Sequence, residues 1–295
     1  MALMKKSSRR EWLGRTAGAA AALGLASGMR AQEYKISDAD IKLGVASYSF
    51  KNFSREQAIQ MMKELGTPYL NVKDFHLKLD STPEQIDQAK KEFAEGGIIL
   101  VGCGNVSFPS TDTEEMIRSK FEYAKRAGFP LIVCAPTSET LPKMEKYVKE
   151  YDIKIAIHNH GPEDKHFPTP QSVLEAVKGM DPRCGLCMDI GHTSRTGADI
   201  VEWIGKAGPR LLDMHAKDLT DPLDKDPQKA LHSQVNTGRG ILPIGKVFEE
   251  LIRINYKGSV NLEYEIHMDD PMPGMRESLA YMRGVLTGLS AAQKA

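Results

Sequence analysis

Two segments, GLCMDIGH at residues 185–192 and LLDMHAKD at residues 211–218, each join a short apolar run to residues that commonly bind metals. A bounded apolar run of this length is typical of a buried strand in a parallel sheet. The polar residues that follow then lie where the strand ends. The pair therefore predicts two parallel strands with chemically active residues at their carboxyl ends.

Six further runs of the same kind alternate with helical patterns between residue 42 and the end of the chain. Helix-start signals agree with this alternation, since Ser54 precedes Gln57 at the spacing of a capping box and Thr82 precedes Pro83. Eight βα units in order predict a closed (β/α)8 barrel, the TIM barrel of the α/β class. The predicted strands are Lys42–Tyr48, Tyr69–Phe75, Ile98–Gly104, Leu131–Cys134, Ile153–Asn159, Gly185–Asp189, Leu211–Ala216 and Ser259–Glu265.

Residues 1–31 differ from the rest, because basic residues precede an apolar run rich in Ala and Gly. The segment SRREWL at residues 8–13 resembles a twin-arginine (Tat) export signal, and we expect cleavage after Ala31 and a periplasmic location. The apolar run is short for a membrane span, which needs about 20 strongly apolar residues. A retained anchor is the alternative, and residues 32–295 are the predicted barrel domain.

The composition suits one large globular domain, with 295 residues of which 41% are hydrophobic and 26% charged. Beyond residue 31 the chain has 33 basic and 38 acidic residues, a net charge of −5. This charge leaves no basic footprint for nucleic acid, and removal of the signal leaves no membrane partner. The pair Cys184 and Cys187 has redox or zinc spacing but enters a strand and lacks a second pair, so we favour buried, reduced cysteines.

Polar residues cluster at the carboxyl ends of the fifth to eighth predicted strands, which is where the active site of a TIM barrel lies. Imidazole and carboxylate groups together suit one divalent ion of Mn, Co, Zn, Fe or Ni. Open positions on such an ion can polarise a substrate oxygen. The residues are His158 and His160, Asp189 and His192, His215 and Lys217, and Glu263 and Glu265.

A family resemblance follows from residues 44–50, 72–77, 188–192, 215–218 and 262–265. These segments, in this order on successive strands, resemble the xylose isomerase-like sugar phosphate isomerase/epimerase family. The resemblance covers nearly all of residues 42–288. It implies a TIM barrel with a single metal ion, which the family's epimerases bind through Glu, Asp, His and Glu of strands five to eight.

Those four positions correspond to His158, Asp189, His215 and Glu263, and the first departs from the pattern because His replaces Glu. The family's epimerases use the two metal-bound glutamates as acid and base. The resemblance therefore implies catalytic roles for Glu263 and for His158, whose neutral imidazole can bind metal or act as a base. Glu265 is the alternative ligand, because residues two apart on a strand face the same way.

Two lysines are candidate catalytic residues as well. Lys73 ends the second predicted strand and Lys217 follows His215, so either could stabilise an enolate or transfer a proton if burial lowers its pKa. His166, His232 and His267 have no motif around them and are assigned to loops. The predicted substrate contacts are His76, His160, His192 and Arg195, of which His160 and His192 could instead orient the ligands.

Three functions of different kinds remain open. The first is a sugar isomerase or epimerase that moves a proton through a metal-stabilised enediolate, with a small, non-phosphorylated sugar as the partner. The second is a lyase or hydrolase that cleaves 3-keto-glycosides by elimination. The third is a non-catalytic periplasmic protein that binds a sugar or a metal. The oligomeric state is not predicted. The unusually long connection at residues 217–242 is expected to be functional or disordered.

Overall fold

The computed structural model describes residues 41–293. The predicted export signal at residues 1–31 lies outside this range, as does the predicted cleavage site. Among the described helices, none is long and apolar enough to cross a membrane.

Eight parallel strands of the described chain close into a barrel, which confirms the predicted fold class. The barrel order is β1-β10-β7-β6-β5-β4-β3-β2, with every neighbouring pair parallel. The four strands that carry the candidate site, β5, β6, β7 and β10, are therefore adjacent. The barrel strands are β1 (Lys42–Ala46), β2 (Tyr69–Val72), β3 (Ile99–Phe108), β4 (Leu131–Pro136), β5 (Lys154–His158), β6 (Cys184–Asp189), β7 (Leu211–Ala216) and β10 (Ser259–Leu262).

Helices connect the strands, and their starts follow the local sequence. Ser54 forms the predicted capping box with Gln57, and Pro83 lies at the predicted start of its helix, where Thr82 also forms a capping box with Gln85. The first helix ends at Gly66, whose φ of 65° is the left-handed conformation that glycine adopts readily. The helices are α1 (Arg55–Leu65), α2 (Pro83–Glu95), α3 (Glu114–Ala127), α4 (Leu141–Tyr151), α5 (Pro170–Ala176), α6 (Ile190–Arg195), α7 (Ile200–Ala207), α8 (Pro227–Leu231), α9 (Ile244–Arg253) and α10 (Met272–Gln293).

β1, β2 and β10 end two or three residues earlier than the sequence suggests, because side chains replace the ladder at their carboxyl ends, and β5 ends one residue earlier. A 3₁₀ turn, Ser47–Phe50, follows β1, and the hydroxyl of Ser47 accepts a hydrogen bond from the Lys73 amide at 2.8 Å. After β10, the amide of Glu265 donates to the Gln234 side chain at 3.0 Å. The polar ends of these strands are thus loops held by specific side chains.

The long connection at residues 217–242 is ordered. It contains a two-stranded antiparallel ribbon, β8 (Asp218–Leu219) and β9 (Gln234–Val235), with α8 between them. The buried carboxylate of Asp218 accepts four backbone amides at 2.9–3.1 Å, which ties both ends of the connection together. The four amides belong to Leu219, Gly238, Gly240 and Leu242.

Candidate metal centre

Four side chains converge at the carboxyl end of the barrel. His158 ends β5, Asp189 ends β6, His215 lies on β7, and Glu263 directly follows β10. One ligand atom from each lies within 4.8 Å of the others, and all four residues are buried. The structure therefore brings together the set that the sequence predicts as metal ligands.

The ligand atoms themselves favour a bound cation. Both ring nitrogens of His158, both of His215, and Oδ2 of Asp189 are buried and make no hydrogen bond of acceptable geometry among the described residues. Three of these five atoms lie close to another member of the cluster, since His158 Nε2 is 3.4 Å from Asp189 Oδ2 and His215 Nδ1 is 3.2 Å from Glu263 Oε2. A buried polar atom without a hydrogen bond costs about 1–3 kcal/mol. Five such atoms in one cluster fit a site that binds a cation.

Asp189 is positioned by its own helix. Its Oδ1 accepts the His192 amide at 2.8 Å and so caps α6, while its backbone amide donates to Asn159 Oδ1 at 3.1 Å. Oδ2 is left facing Lys217 Nζ at 3.0 Å. Burial alone would raise the pKa of Asp189, but Lys217 and the nearby histidines outweigh it and hold that pKa well below its usual range. The carboxylate is therefore ionised, as a metal ligand must be.

Glu263 lies between two ammonium groups. Lys73 Nζ is 3.2 Å from Oε1, while Lys217 Nζ and His215 Nδ1 are 3.0 and 3.2 Å from Oε2. Burial raises the pKa of Glu263, but His215, Lys217 and Lys73 lower it by a larger amount. The pKa of Glu263 therefore lies well below its usual range. Glu265, the alternative ligand, is 38% exposed at its side chain and pairs with Lys217 outside the four-residue cluster.

A second combination of donors, His158, Cys187 and His215, also lies within metal-binding reach. Burial raises the pKa of the Cys187 thiol well above its usual range, so the thiol is protonated and a poor ligand. Its Sγ donates instead to Asp213 Oδ2 at 3.5 Å. We therefore assign the cation site to the set with Asp189 and Glu263. Cys184, like Cys187, is buried and free.

His160, His192 and Arg195 lie next to the cluster. The rings of His160 and His192 are 4.5 Å apart between centroids, and His192 is 5.7 Å from His158. Burial lowers the pKa of His192 well below its usual range, so its neutral Nδ1 can accept from Arg195 Nη1 at 3.1 Å. Arg195 also pairs with Glu163. These three predicted substrate contacts share one side of the site.

His76 takes a different position from the other predicted substrate contacts. It is buried, and its Nδ1 lies 2.9 Å from the Ser47 hydroxyl. Burial lowers its pKa. It borders a surface depression near α2 and not the cavities at the cluster, so its role as a substrate contact stays a prediction.

Two neighbouring cavities lie at this end of the barrel, one of about 240 Å³ that His158 and Glu263 of the cluster line, and one of about 390 Å³ that no residue of the cluster lines. His160 and His192 line both, while Lys73, His158 and Glu263 line only the smaller cavity and Arg195 and Lys217 only the larger. Sequence reasoning missed several lining residues, and it placed His232 in a loop without assigning it a role. Those it did not assign include Tyr48, Asp74, Phe75 and Asn105 in the smaller cavity and Tyr48, Leu219, Leu231, His232, Gln234 and Ile266 in the larger.

Comparison with known proteins agrees with this architecture. The sequence profile of the family described as "Xylose isomerase-like TIM barrel" matches residues 54–285. No functionally curated protein matches the sequence. An uncharacterised protein from Parabacteroides distasonis ATCC 8503 is similar in structure, with 28% identity, a TM-score of 0.65, and coverage of 83% of this chain and 99% of that chain.

Two more distant structures share the fold. The 3-keto-D-glucoside 4-epimerase YcjR from E. coli, in its apo form, has 18% identity and a TM-score of 0.66, and the match covers 83% of this chain and 99% of that chain. The IolI protein, whose structure has a bound zinc atom, has 18% identity and a TM-score of 0.70, and the match covers 84% and 99%.

Proposed function

We propose that this chain, which belongs to the xylose isomerase-like TIM barrel family, is a metal-dependent sugar isomerase or epimerase. The observation that carries the proposal is the convergence of His158, Asp189, His215 and Glu263 at the catalytic end of the barrel, with five buried ligand atoms that make no hydrogen bond of acceptable geometry. The names of the E. coli epimerase and of the zinc-binding IolI protein are consistent with it.

The four converging residues would hold one divalent ion of Mn, Co, Zn, Fe or Ni. When bound, such an ion polarises a carbonyl or hydroxyl oxygen of the sugar and stabilises the negative charge of an enediolate. Imidazole and carboxylate donors in this proportion suit those metals.

Glu263 is the proposed base that takes a proton from the sugar carbon next to the carbonyl. It lines the smaller cavity, and its neighbours hold its pKa well below the usual range, so its carboxylate is ionised. Lys73 lines the same cavity, so its ammonium can stabilise the developing oxyanion and return a proton. Lys217 holds Asp189 and Glu263 in place from the other cavity.

His158 is the feature that separates this site from the Glu-containing set of the family's epimerases. Its ring is 4.9 Å from that of His215 between centroids, and its Nε2 is 3.4 Å from Asp189 Oδ2. A neutral imidazole binds a metal without adding negative charge. We propose that His158 acts chiefly as a ligand and that proton return falls to Lys73, which lines the smaller cavity. The expectation that burial lowers the pKa of Lys217 is wrong, because the carboxylates around its ammonium raise that pKa well above the usual range.

The cellular setting in this proposal is the periplasm. Residues 1–31 would direct export through the Tat route, which carries folded proteins, and residues 32–295 would form the mature barrel enzyme. Because phosphorylated sugars are chiefly cytoplasmic, we propose a non-phosphorylated sugar as substrate. Measurement of the N-terminus of the exported protein checks the cleavage site.

Solvent deuterium exchange tests the proposed reaction. The metal-loaded protein in D₂O is expected to exchange the C–H next to the carbonyl of a ketose or keto-glycoside and to form an isomer, because Glu263 removes that proton. NMR of the sugar follows both events. Release of the aglycone from a keto-glycoside would favour the lyase, and sugar binding without exchange would favour the non-catalytic binding protein.

A further inference from the structure

The two cavities at this end of the barrel lie side by side, because they share the lining residues Tyr48, His160, His192 and Glu265. The smaller, at about 240 Å³, lies below the range of about 300–1,000 Å³ that is usual for ligand sites. Joined to the cavity of about 390 Å³, it lies well within that range. The two cavities together therefore offer more volume than a single sugar ring at the cluster would occupy.

The chemistry of the reaction belongs to the smaller compartment. His158, Glu263 and Lys73 line it, so a sugar carbon that loses a proton to Glu263 has to lie there. Phe75 is half exposed at this compartment and packs edge-on against Tyr48 with centroids 5.7 Å apart. The two aromatic rings give this compartment a wall on which the apolar face of a sugar ring can pack.

The larger compartment has a different lining. Leu219, Leu231 and Ile266 give it an apolar surface, and His232 and Gln234 add polar groups. Of these residues, Leu219, Leu231, His232 and Gln234 belong to the connection at residues 217–242, while Ile266 lies after β10. Apolar side chains beside a few hydrogen-bonding groups suit a second sugar ring or an aryl group.

The wall is fixed in place and tied to the proposed base. The carboxylate of Asp218 clamps the connection through four backbone amides. Gln234 donates to the carbonyl oxygen of Glu263 at 2.7 Å and accepts the amide of Glu265 at 3.0 Å. A substrate group in the larger compartment therefore contacts a wall that Gln234 connects, by hydrogen bonds, to the backbone of Glu263 and Glu265.

We infer that the substrate is a glycoside, with its reacting ring in the smaller compartment and the group on its anomeric carbon in the larger one. This inference rests on the proposed function. A glycosidic bond prevents the ring opening that exposes the carbonyl of a free sugar. The proton transfer therefore requires a ketone on another ring carbon, and the reaction that supplies the substrate is the dehydrogenation of a secondary ring hydroxyl by a hydride acceptor.

The test compares substrates that differ only in the group on the anomeric carbon. The metal-loaded protein is assayed for C–H exchange with methyl and p-nitrophenyl glucosides that carry a ring ketone at C2, C3 or C4, and with the free ketoses fructose and psicose. For at least one ketone position, the p-nitrophenyl glycoside is expected to have a KM roughly tenfold below that of the methyl glycoside.

Leu231→Trp places bulk in the larger compartment at a side chain that is 39% exposed, so the fold can accept it. It is expected to raise the KM for the p-nitrophenyl glycoside about tenfold and that for the methyl glycoside by much less, with the metal content unchanged. Leu223→Trp, in the same connection at a residue that is 63% exposed and outside both cavity linings, is the matched control and leaves all values unchanged.

Equal KM values for the two glycosides, or no effect of Leu231→Trp, would overturn the inference. Exchange with free ketoses but with no ring-ketone glycoside would overturn it too, while the proposed function stands. Exchange with neither class of sugar would overturn both.

Discussion

Glu263→Gln is expected to reduce the rate of sugar C–H exchange by about 10²–10⁴-fold, the usual contribution of a general base. The amide keeps the shape of the side chain but cannot take up the proton. The substitution also removes the carboxylate charge, whose oxygens lie 3.2 Å from Lys73 Nζ and 3.0 Å from Lys217 Nζ. Exchange followed by NMR under single-turnover conditions measures the loss.

Glu265→Gln is the matched control for this variant. Glu265 follows Glu263 by two residues, pairs with the same Lys217 and borders the same cleft, but it lies outside the cluster of ligand atoms. We expect less than about a tenfold loss of exchange, since only a contact at the edge of the site changes. A larger loss of exchange in Glu265→Gln than in Glu263→Gln would show that Glu265 is the base and that Glu263 is not.

Lys217→Met is expected to destabilise the metal-free protein by about 3–5 kcal/mol, the usual cost of breaking a buried ion pair. The ammonium is 5% exposed and lies 3.0 Å from both Asp189 Oδ2 and Glu263 Oε2. Burial alone would lower the pKa of Lys217, but the carboxylates raise it well above its usual range, so the lost group is a full positive charge. Urea unfolding followed by circular dichroism measures the change.

A divalent ion should restore more stability to Lys217→Met than to the wild type, because it supplies positive charge to the same two carboxylates. Lys206→Met is the control: Lys206 pairs with Glu202 at 2.6 Å, but both side chains are about half exposed. Loss of this exposed ion pair should lower the free energy of unfolding by less than about 1 kcal/mol. Equal costs for the two variants would show that the cluster does not depend on the buried lysine.

The fold could be predicted because each barrel strand carries its own signal. Short apolar runs and helix-start signals such as Ser54 and Pro83 act locally, and the structure confirms the closed barrel. The carboxyl ends of the strands are less predictable from the sequence than the strands themselves. Tyr48 and Phe75 were assigned to strands but lie in the segments after β1 and β2, where the Ser47 side chain replaces the ladder.

The candidate ligands could be proposed because strand ends in a barrel share one face. Which glutamate joins the cluster depends on depth along the barrel axis, which the alternation of side chains on a strand does not reveal. His232 shows a second limit. It lines the larger cavity through the fold of the connection at residues 217–242, and no pattern in the sequence around it indicates that position.

Elemental analysis of the purified protein shows whether the four converging residues hold a metal ion, if the wild type is compared with Asp189→Ala, His215→Ala and the neighbouring control His160→Ala. We expect about one divalent ion per chain in the wild type and in His160→Ala, and almost none in Asp189→Ala and His215→Ala, which each lack a ligand. A wild type without an ion, or an ion retained in both ligand variants, would contradict this expectation.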